Sequence, residues 1–552
     1  MLLAGALIYL SFGYTEMAGS DLWWHIAAGR ELLQTGTLWM VDDWSWSAHG
    51  WDWLNHEWLS DIIFYQWASQ WGIEALVYWK WLVVVTTFVL LQLALARDNG
   101  HLAALLWSSF ALATAAPFID VRPHIYSLLL FCLLLFLLLG RRPVRWLLLL
   151  IFLLWVNLHG GFFFGLMALA ILLFPWRELN LETFRGALLL GLACVAVVMF
   201  NPYGYDAYLY PLKYAFQETS PFRQLAEWLS PFEPGGIRSP MFFVFMWMPL
   251  LALAYLIPAI RQRTGIPWEG LALTGLTLAM ALTSRRFIPL FAISLAVLMA
   301  PLTGLLLKRL ERHWIALALA SGALLFGLWR MAPLPLAAGP AFHYLTAAYS
   351  YPVEIVKFMD ANNIQGKVFA YYNWGGFLHL HTDGRLKVYI DGRADTLYDD
   401  DTYINYVNVL SSKPGWLEWL GETEAEYVLW PESRGGGLYK RQQLLASGQW
   451  RELYVDHTGW LLVRKGVEVP KLVATADSPW RSLRLARIAS ASGDVGAATR
   501  YAADAFNAMP WHRDACRAYA IMLQSQELGE EAREVLDTCY GFFPTPVFRP
   551  GD

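Results

Sequence analysis

Charge is scarce in this sequence, because only 16% of its 552 residues are charged, against about 25% in an ordinary soluble domain. No basic excess exists either: the formal net charge is −4, which excludes a positively charged surface for nucleic acid. Cysteine is also rare, with four residues, and this number excludes a small disulfide-framed domain. These shortages argue against a soluble enzyme, a nucleic-acid-binding protein and a disulfide scaffold.

Hydrophobic residues are abundant instead, at 57% of the chain, and they are unevenly distributed. Long apolar runs alternate with short polar breaks up to Met331, and beyond it no run approaches the roughly 20 residues that cross a bilayer. The sequence therefore predicts an α-helical polytopic membrane domain over residues 1–331, with about 11 transmembrane helices. The predicted apolar cores are 1–14, 81–96, 102–116, 128–139, 147–156, 162–174, 187–200, 241–257, 271–282, 287–307 and 315–328.

Basic residues in short loops predict the orientation, because cytoplasmic loops are enriched in them. Eleven fall on one set of alternate breaks: Arg97, Arg141, Arg142, Arg145, Arg177, Arg185, Arg261, Arg263, Lys308, Arg309 and Arg312. This set predicts a cytoplasmic N-terminus, with loops 16–61 and 201–240 and everything after Met331 outside. A cleaved signal peptide is the alternative for the first segment, but that segment has no basic start and no small-x-small site.

The first outer loop, residues 16–61, is dense in tryptophan, histidine and carboxylate. Its apolar spacing predicts one helix over Asp21–Leu33, capped by Ser20 or Asp21 and ended by Gly36, and a second over Trp58–Trp71. An aromatic belt at the membrane surface accounts for many of the tryptophans. It does not account for the ionisable residues, which are costly there unless paired or functional: Asp21, His25, Asp42, Asp43, His56 and Glu57.

Three further outer breaks place polar residues beside apolar spans. They are Arg122-Pro-His124, Asn157-Leu-His159 and Ser284-Arg285-Arg286. An adjacent arginine pair at helix ends is suited to bidentate capture of a phosphate. The alternative is that these side chains snorkel to the lipid headgroups.

These features together resemble the GT-C class of integral-membrane glycosyltransferases, which take sugars from polyprenyl-phosphate carriers. The resemblance covers residues 1–330: a first transmembrane helix, an acid soon after it in a large outer loop with helices along the membrane, and many further spans. Asp21 in "GSDLWWH" matches the loop-one acid of that class, and "NHEWL" at 55–59 matches the second loop-one motif. Many members have two acids at the first position, whereas here Asp21 follows Ser20 and Glu16 lies five residues earlier.

The resemblance implies a transferase that moves a sugar from a polyprenyl-phosphate-linked donor to a glycan or protein acceptor on the extracytoplasmic face, with inversion and a general base. It implies Asp21 as the general base or as the acid that positions the acceptor, and Glu57 is the second catalytic candidate. Outer arginines would neutralise the departing phosphate. The candidate substrate-binding residues are His25, His56, Arg122, His124, His159, Arg285 and Arg286. The cofactor is left open, with a divalent metal as one possibility, and the lipid-linked sugar donor is a substrate.

The chain after the membrane domain predicts a small extracytoplasmic α/β domain over residues 340–467. Strand-like runs are 368–372, 377–381, 388–390, 427–430, 451–455 and 460–463, and helix-like runs are 402–410 and 415–420. A carboxylate cluster lacks the EF-hand pattern and is either a structural turn with an Asp–Arg pair or a lid or acceptor-binding loop. Its members, with the arginine, are Asp391, Arg393, Asp395, Asp399, Asp400 and Asp401.

The last segment, 478–546, repeats at 34 residues and resembles tetratricopeptide repeats. The aligned pairs are Ala486 with Ala520, Ala498 with Ala532, Ala505 with Cys539, and Pro510 with Pro544. Two units are too few to be stable alone, so we expect them to dock on the α/β domain, as a packing cap or as a groove for a protein partner or acceptor. Cys516 and Cys539 are candidates for a disulfide in an oxidising exterior.

The sequence thus favours a glycosyltransferase of a bacterial inner membrane. The main alternative is a non-catalytic membrane scaffold that recruits envelope-assembly partners through its C-terminal repeats. A transporter is disfavoured because the apolar spans hold few ionisable residues.

Overall fold

The computed structural model describes residues 1–13, 17, 19, 21–140, 144–177, 179–210, 220–307, 310, 313–331, 342–343, 346, 350–469 and 478–541. Several residues of the sequence predictions lie outside these ranges. They are Glu16, Ser20, Arg141, Arg142, Lys308, Arg309, Arg312 and Pro544.

Among the described residues before 332, helices form the regular secondary structure, except for one short hairpin. They are α1 Leu2–Phe12, α2 Leu22–Thr35, α3 Trp58–Trp71, α4 Leu76–Asn99, α5 His101–Ala115, α6 His124–Leu138, α7 Arg145–Leu158, α8 Phe162–Leu173, α9 Leu181–Val197, α10 Pro240–Phe245, α11 Pro258–Thr264, α12 Trp268–Thr283, α13 Ile288–Leu307 and α14 His313–Met331. The hairpin pairs β1, Met40–Val41, with β2, Asp52–Trp53.

Four helical segments in the described ranges are long and apolar enough to cross a membrane: Ile73–Asn99, His101–Phe118, Arg285–Leu307 and Trp314–Met331. A fifth is possible if Pro240–Leu256 and Pro258–Thr264, which bend by 99°, count as one broken span. Shorter apolar helices are α1, α6, α7 and α8. A multi-pass, mostly helical membrane protein follows from these helices, while the full set of eleven spans stays a prediction.

The chain forms two compact units. The first comprises residues 1–15, 56–63 and 70–331, and the second comprises 16–55, 64–69 and 332–552. The sequence assigned the first outer loop, 16–61, to the membrane domain, so this grouping differs from the predicted domain boundaries. The reason is that the first outer loop forms backbone hydrogen bonds with the α/β domain.

A five-stranded sheet forms the centre of the second unit, in the order β4-β3-β5-β7-β6. Its strands are β3 Gly366–Ala370, β4 Leu386–Val388, β5 Tyr427–Pro431, β6 Trp450–Val455 and β7 Gly459–Arg464. Strand β3 is parallel to β4 and β5, whereas β7 is antiparallel to β5 and β6. The accompanying helices are α15 Val353–Ala361, α16 Gly375–His381, α17 Asp400–Leu410, α18 Trp416–Glu422 and α19 Gly437–Ala446.

The first outer loop extends the edge of this sheet. The backbone N–H of Trp46 donates to the carbonyl of Val388 at 3.0 Å, and the Val388 N–H donates to the carbonyl of Trp44 at 3.0 Å. Helix α2 packs against α16 in the same unit, where a Cβ at Gly376 would lie 2.8 Å from the Cβ of Trp24. These backbone contacts explain why the loop groups with the α/β domain.

The predicted strand over residues 377–381 is wrong, because this segment is helix α16. The alternation Phe-Leu-His-Leu-His imitates the two-residue period of a strand. The deciding feature is the preceding glycine pair: a Cβ at Gly375 would lie 2.4 Å from the Cβ of Asp391, and Gly376 contacts α2 as closely. The other predicted strands and helices of this domain overlap observed elements.

Helix α2 confirms the first loop helix, and it ends at Gly36 in the left-handed conformation. Asp21 occupies the N-cap position, but its side chain makes no capping hydrogen bond. Helix α3 coincides with the predicted range Trp58–Trp71.

The carboxylate cluster of the α/β domain divides into separate structural roles. Asp391 and Asp42 both form ion pairs with Arg393, and all three side chains are fully buried. Asp399 caps α17 by accepting a hydrogen bond from the backbone N–H of Thr402 at 2.8 Å. These contacts favour the structural turn over the lid.

Four helices form the C-terminal repeat: α20 Pro479–Ala491, α21 Val495–Ala508, α22 Arg513–Gln524 and α23 Gly529–Gly541. Each helix of the second pair begins 34 residues after its counterpart. The aligned small residues are buried, namely Ala486, Ala498, Ala505, Ala520, Ala532 and Cys539. Cys516 and Cys539 form a disulfide. The tetratricopeptide assignment itself stays a prediction.

The repeat docks on the α/β domain, as expected. The backbone N–H of His457 donates to the carbonyl of Trp480 at 3.3 Å. The imidazole Nε2 of His457 lies 3.0 Å from Oδ2 of Asp514, and Arg487 pairs with Glu432 at 2.9 Å.

Candidate active site

Glu57 directly precedes α3 in the first unit, and two hydrogen bonds hold the start of that helix against the end of α7. The indole Nε1 of Trp58 donates to Oδ1 of Asn157 at 2.8 Å, and the hydroxyl of Ser60 donates to the carbonyl of Leu158 at 2.6 Å. The Glu57 side chain is 13% exposed. This framework fixes Glu57 beside the residue that follows α7, His159.

The imidazole of His159 has a defined hydrogen-bonding pattern. Its Nδ1 accepts from the backbone N–H of Gly161 at 2.9 Å and lies 2.7 Å from the hydroxyl of Ser127. An amide N–H can only donate, so Nδ1 carries a lone pair and the proton of the neutral ring is on Nε2. That Nε2 lies 3.5 Å from Oε1 of Glu57. His159 therefore directs an N–H group toward the Glu57 carboxylate.

The surroundings keep His159 neutral. Burial and then the positive charge of Arg286 hold the pKa of His159 well below its ordinary value, and His124, His56 and Arg122 act in the same direction. Glu57 consequently faces a neutral donor rather than a cation.

Two guanidinium groups share one carboxylate near this pair. Nη1 of Arg122 lies 2.8 Å from Oε2 of Glu227, and Nη1 of Arg286 lies 3.6 Å from Oε1 of the same residue. Burial alone would raise the pKa of Glu227, but Arg122 and Arg286 outweigh it and lower the pKa to about 2. Arg286 also stacks on the ring of Trp228, at 4.1 Å. Arg122 and Arg286 thus place two guanidinium groups beside one shared carboxylate.

Arg285, the neighbour of Arg286, is placed differently. It is fully buried, and its guanidinium donates only to backbone carbonyls of one loop. This geometry favours holding the loop over binding a ligand. The accepting carbonyls belong to Leu229, Ser230, Glu233, Gly235 and Ile237.

The two other candidate histidines of the first unit, His124 and His56, lie at the margins of this cluster. Nε2 of His124 is 2.7 Å from the carbonyl of Phe118, and its Nδ1 is 3.8 Å from Oδ1 of Asp120. The ring of His56 packs on Tyr210 at 4.8 Å, and its Nε2 lies 3.8 Å from Oε1 of Glu57. The structure thus brings six of the sequence-predicted site residues together: His56, Glu57, Arg122, His124, His159 and Arg286.

Asp21 and His25 belong to the second unit, and their approach to the first-unit cluster stays a prediction. Asp21 is 8% exposed, and a Cβ at Gly392 would lie 3.0 Å from its Oδ1. His25 is buried, with its ring 3.6 Å from that of Trp24 and edge-on to Phe64. Asp21 therefore faces the Asp391-Gly-Arg393 turn.

Sequence reasoning missed three residues of the first-unit cluster: Ser127, Glu227 and Asp120. Burial raises the pKa of Asp120 to about 6, against the lowering effect of Arg122. The pattern Asp-x-Arg-x-His at 120–124 was a usable signal, because alternate residues of a short turn carried charge. Ser127 and Glu227 had no comparable sequence signal. Among the described residues, no group of three or more His, Cys, Asp or Glu side chains could hold a metal ion.

No protein-family model and no curated protein match this chain. Solved structures of the class that the sequence resembles do show similarity. One is the archaeal oligosaccharyltransferase AglB from Archaeoglobus fulgidus in complex with an inhibitory peptide and a dolichol-phosphate, with a TM-score of 0.49 and 11% sequence identity. The match covers 85% of this chain and 74% of the AglB chain. ArnT from Cupriavidus metallidurans bound to undecaprenyl phosphate has a TM-score of 0.43 and 12% identity, covering 83% and 96%. Scores and identities this low do not transfer an activity, a substrate or a site to this protein.

Proposed function

We propose that this protein is a membrane glycosyltransferase that moves a sugar from a polyprenyl-phosphate carrier to an acceptor hydroxyl or amide on the extracytoplasmic face. One observation carries the proposal: Oε1 of Glu57 lies 3.5 Å from Nε2 of a neutral His159, and the positive charges of Arg286 and Arg122 act on the same histidine. Transfer from a sugar phosphate requires a base for the acceptor group and cations for the leaving phosphate.

Glu57 acts as the general base. Its carboxylate accepts the proton of the acceptor group while that group attacks the anomeric carbon of the sugar from the face opposite the phosphate. His159 is a positioning residue, because its N–H faces Glu57 and its ring is fixed by Gly161 and Ser127. The new bond forms on the opposite face, so the anomeric configuration is inverted.

Arg122 and Arg286 stabilise the leaving phosphate. The bond between the anomeric carbon and the phosphate oxygen breaks with its electron pair on the oxygen, which adds negative charge to the lipid phosphate. Glu227 forms an ion pair with both guanidinium groups and so holds them in place. His56 and His124 are proposed to bind donor or acceptor hydroxyl groups.

Asp21 is the acid that the GT-C resemblance implicates, and it remains a second candidate for the base, with His25 beside it. The side of the membrane is also part of the proposal. The basic loops favour a cytoplasmic N-terminus in a bacterial inner membrane, and the disulfide of the repeat suits an oxidising exterior. The acceptor is proposed to be a glycan or protein, and a protein partner on the repeats and a divalent metal are left open.

The test is sugar transfer in liposomes that contain the purified chain and a panel of undecaprenyl-phosphate monosaccharides, with membrane extract as the acceptor source. Release of undecaprenyl phosphate is the readout. We expect Glu57→Gln to reduce the rate by about 10²–10⁴-fold, the range for loss of a general base. Glu74→Gln, at an exposed glutamate before α4, is the matched control and keeps the wild-type rate.

Asp21→Asn separates the two acids. If Glu57→Gln keeps full activity while Asp21→Asn loses it, the assignment of Glu57 as base is wrong. If the wild type transfers no sugar from any donor, or if both variants keep full activity, the catalytic proposal is overturned. The membrane-scaffold alternative would then be favoured.

A further inference from the structure

The strand order of the second unit creates a crevice that the proposed transfer reaction does not use. After β3 the chain turns toward β4, whereas after β5 it turns toward β7, on the other side. The loops after these two neighbouring parallel strands therefore diverge. Ligands of open α/β sheets bind at such a point, outside the carboxyl ends of the strands.

A cleft of about 300 Å³ lies at this point. Its floor consists of Tyr371 and Trp374, which follow β3, and of Ser433 and Arg434, which follow β5. The turn between β6 and β7 adds the side chain of His457. A volume of this size corresponds to the lower end of small-molecule sites, roughly one or two sugar rings.

The C-terminal repeat forms the opposite wall of the cleft. Trp480 comes from α20, and Trp511 and Asp514 come from the start of the second helix pair. The contact of His457 Nε2 with Oδ2 of Asp514, at 3.0 Å, joins the two walls. The docked repeat therefore encloses a cleft, so it does more than cover the surface of the α/β domain.

Aromatic rings and polar groups line this cleft, while aliphatic side chains are nearly absent. Three tryptophans and Tyr371 contribute rings, and Pro431 is the one aliphatic side chain in the described lining. A peptide pocket would present aliphatic surface for side chains. Rings interleaved with hydroxyl, imidazole and guanidinium groups instead match a molecule with apolar ring faces and a polar rim, which is a saccharide.

The charge of the lining favours an anionic ligand. Arg434 is exposed at the cleft, and its guanidinium makes no hydrogen bond or ion pair with any residue in the described ranges. Arg513 adds a second guanidinium, while Asp514 is engaged by His457. A planar guanidinium is suited to bidentate binding of a carboxylate or phosphate.

We propose that the cleft between the carboxyl ends of β3 and β5 and the C-terminal repeat binds an acidic saccharide, with its rings against Trp511 and Trp480 and its anionic group on Arg434. This site is separate from the Glu57 cluster and does not depend on transfer activity. It gives the second unit a glycan-binding role of its own.

Calorimetric titration of the full chain in lipid nanodiscs tests the proposal. The probes are cellobiouronic acid, a disaccharide with one carboxylate, and cellobiose, its neutral match. We expect the acidic disaccharide to bind at least about tenfold more tightly, because a hydrogen bond to a charged group contributes about 1.5–3 kcal/mol. Arg434→Gln should remove this preference and leave cellobiose binding unchanged.

Trp511→Ala should weaken both disaccharides, and Arg500→Gln, at an exposed arginine of α21 outside the cleft, should change neither. Arg434 is exposed, so its variant folds even if Trp511→Ala does not. Equal affinity for the two disaccharides, no binding of either, or an acidic preference that survives Arg434→Gln would overturn the proposal. Tighter binding of a peptide with a free C-terminal carboxylate would also overturn it, in favour of a peptide site.

Discussion

Two clusters of arginine and carboxylate use the same groups in opposite ways. In the second unit, Arg393 is paired with Asp42 and Asp391, and all three side chains are 0% exposed. In the first unit, Arg122 and Arg286 share Glu227, and each of these side chains is about a quarter exposed. The first of these clusters is closed to solvent, whereas the second is partly accessible.

The difference separates a structural ion cluster from a candidate binding site. Arg393 also lies over the rings of Trp44 and Trp53, at 4.3 and 5.1 Å, so it joins the first outer loop to the sheet domain. Its charge is already satisfied. The guanidinium groups of Arg122 and Arg286 are instead partly exposed beside Glu227, which leaves them accessible to an anionic ligand.

The largest effect on stability is expected at the buried cluster. Arg393→Met leaves two carboxylates buried without their cation, which costs about 3–5 kcal/mol for a broken buried pair. Urea unfolding of the full chain in detergent, followed by tryptophan fluorescence, measures this loss. Arg385→Met removes a surface pair with Asp360 and should cost no more than about 1 kcal/mol. Equal losses for the two variants would show that the buried cluster does not hold the loop to the sheet.

Arg285 and Arg286 provide an adjacent pair with opposite expectations. Arg286→Gln should lower the transfer rate about 10²-fold, as for one lost oxyanion donor, with an unchanged unfolding temperature. Arg285→Gln should lower the unfolding temperature instead, because the backbone carbonyls of one loop lose the buried guanidinium that holds them together. Transfer rates and thermal unfolding of both variants decide the matter, and an exchange of the two outcomes would refute the assigned roles.

Asp456 adds a third case, a buried carboxylate with only backbone donors. Burial raises its pKa to about 6, although the N–H groups of Thr458 and Gly459 bind it. A raised folded-state pKa gives stability that is complete below about pH 4 and is lost as the pH rises through 6. The free energy of unfolding of Asp456→Asn should equal that of the wild type at pH 4 and exceed it by on the order of 2 kcal/mol at pH 8. A difference in unfolding free energy between the variant and the wild type that stays constant from pH 4 to pH 8 would contradict this.

Local sequence patterns predicted the helices well where interactions between neighbouring residues determine the conformation. Helix α3 had the predicted range, Gly36 ended α2 and the 34-residue spacing of the repeat fixed its four helices. Those features depend on near neighbours in the sequence. The segment 377–381 was misread because its helix depends on Gly375 and Gly376 contacting distant residues.

The site was predictable in part for the same reason. Polar residues in three apolar breaks indicated Arg122, His159 and Arg286, because each is conspicuous beside a hydrophobic span. Sequence alone could not distinguish Arg285 from Arg286, since adjacent side chains of a short helical turn point in different directions. Glu227 lies in a polar loop where nothing marks it, and only the fold brings it to both arginines.

A structure of the protein with bound undecaprenyl phosphate tests the central claim most directly. The account predicts that phosphate oxygens lie within hydrogen-bonding distance, about 3 Å, of the guanidinium groups of Arg122 and Arg286, with Glu57 in the same site. A phosphate bound elsewhere, with Arg122 and Arg286 still paired with Glu227, would contradict it.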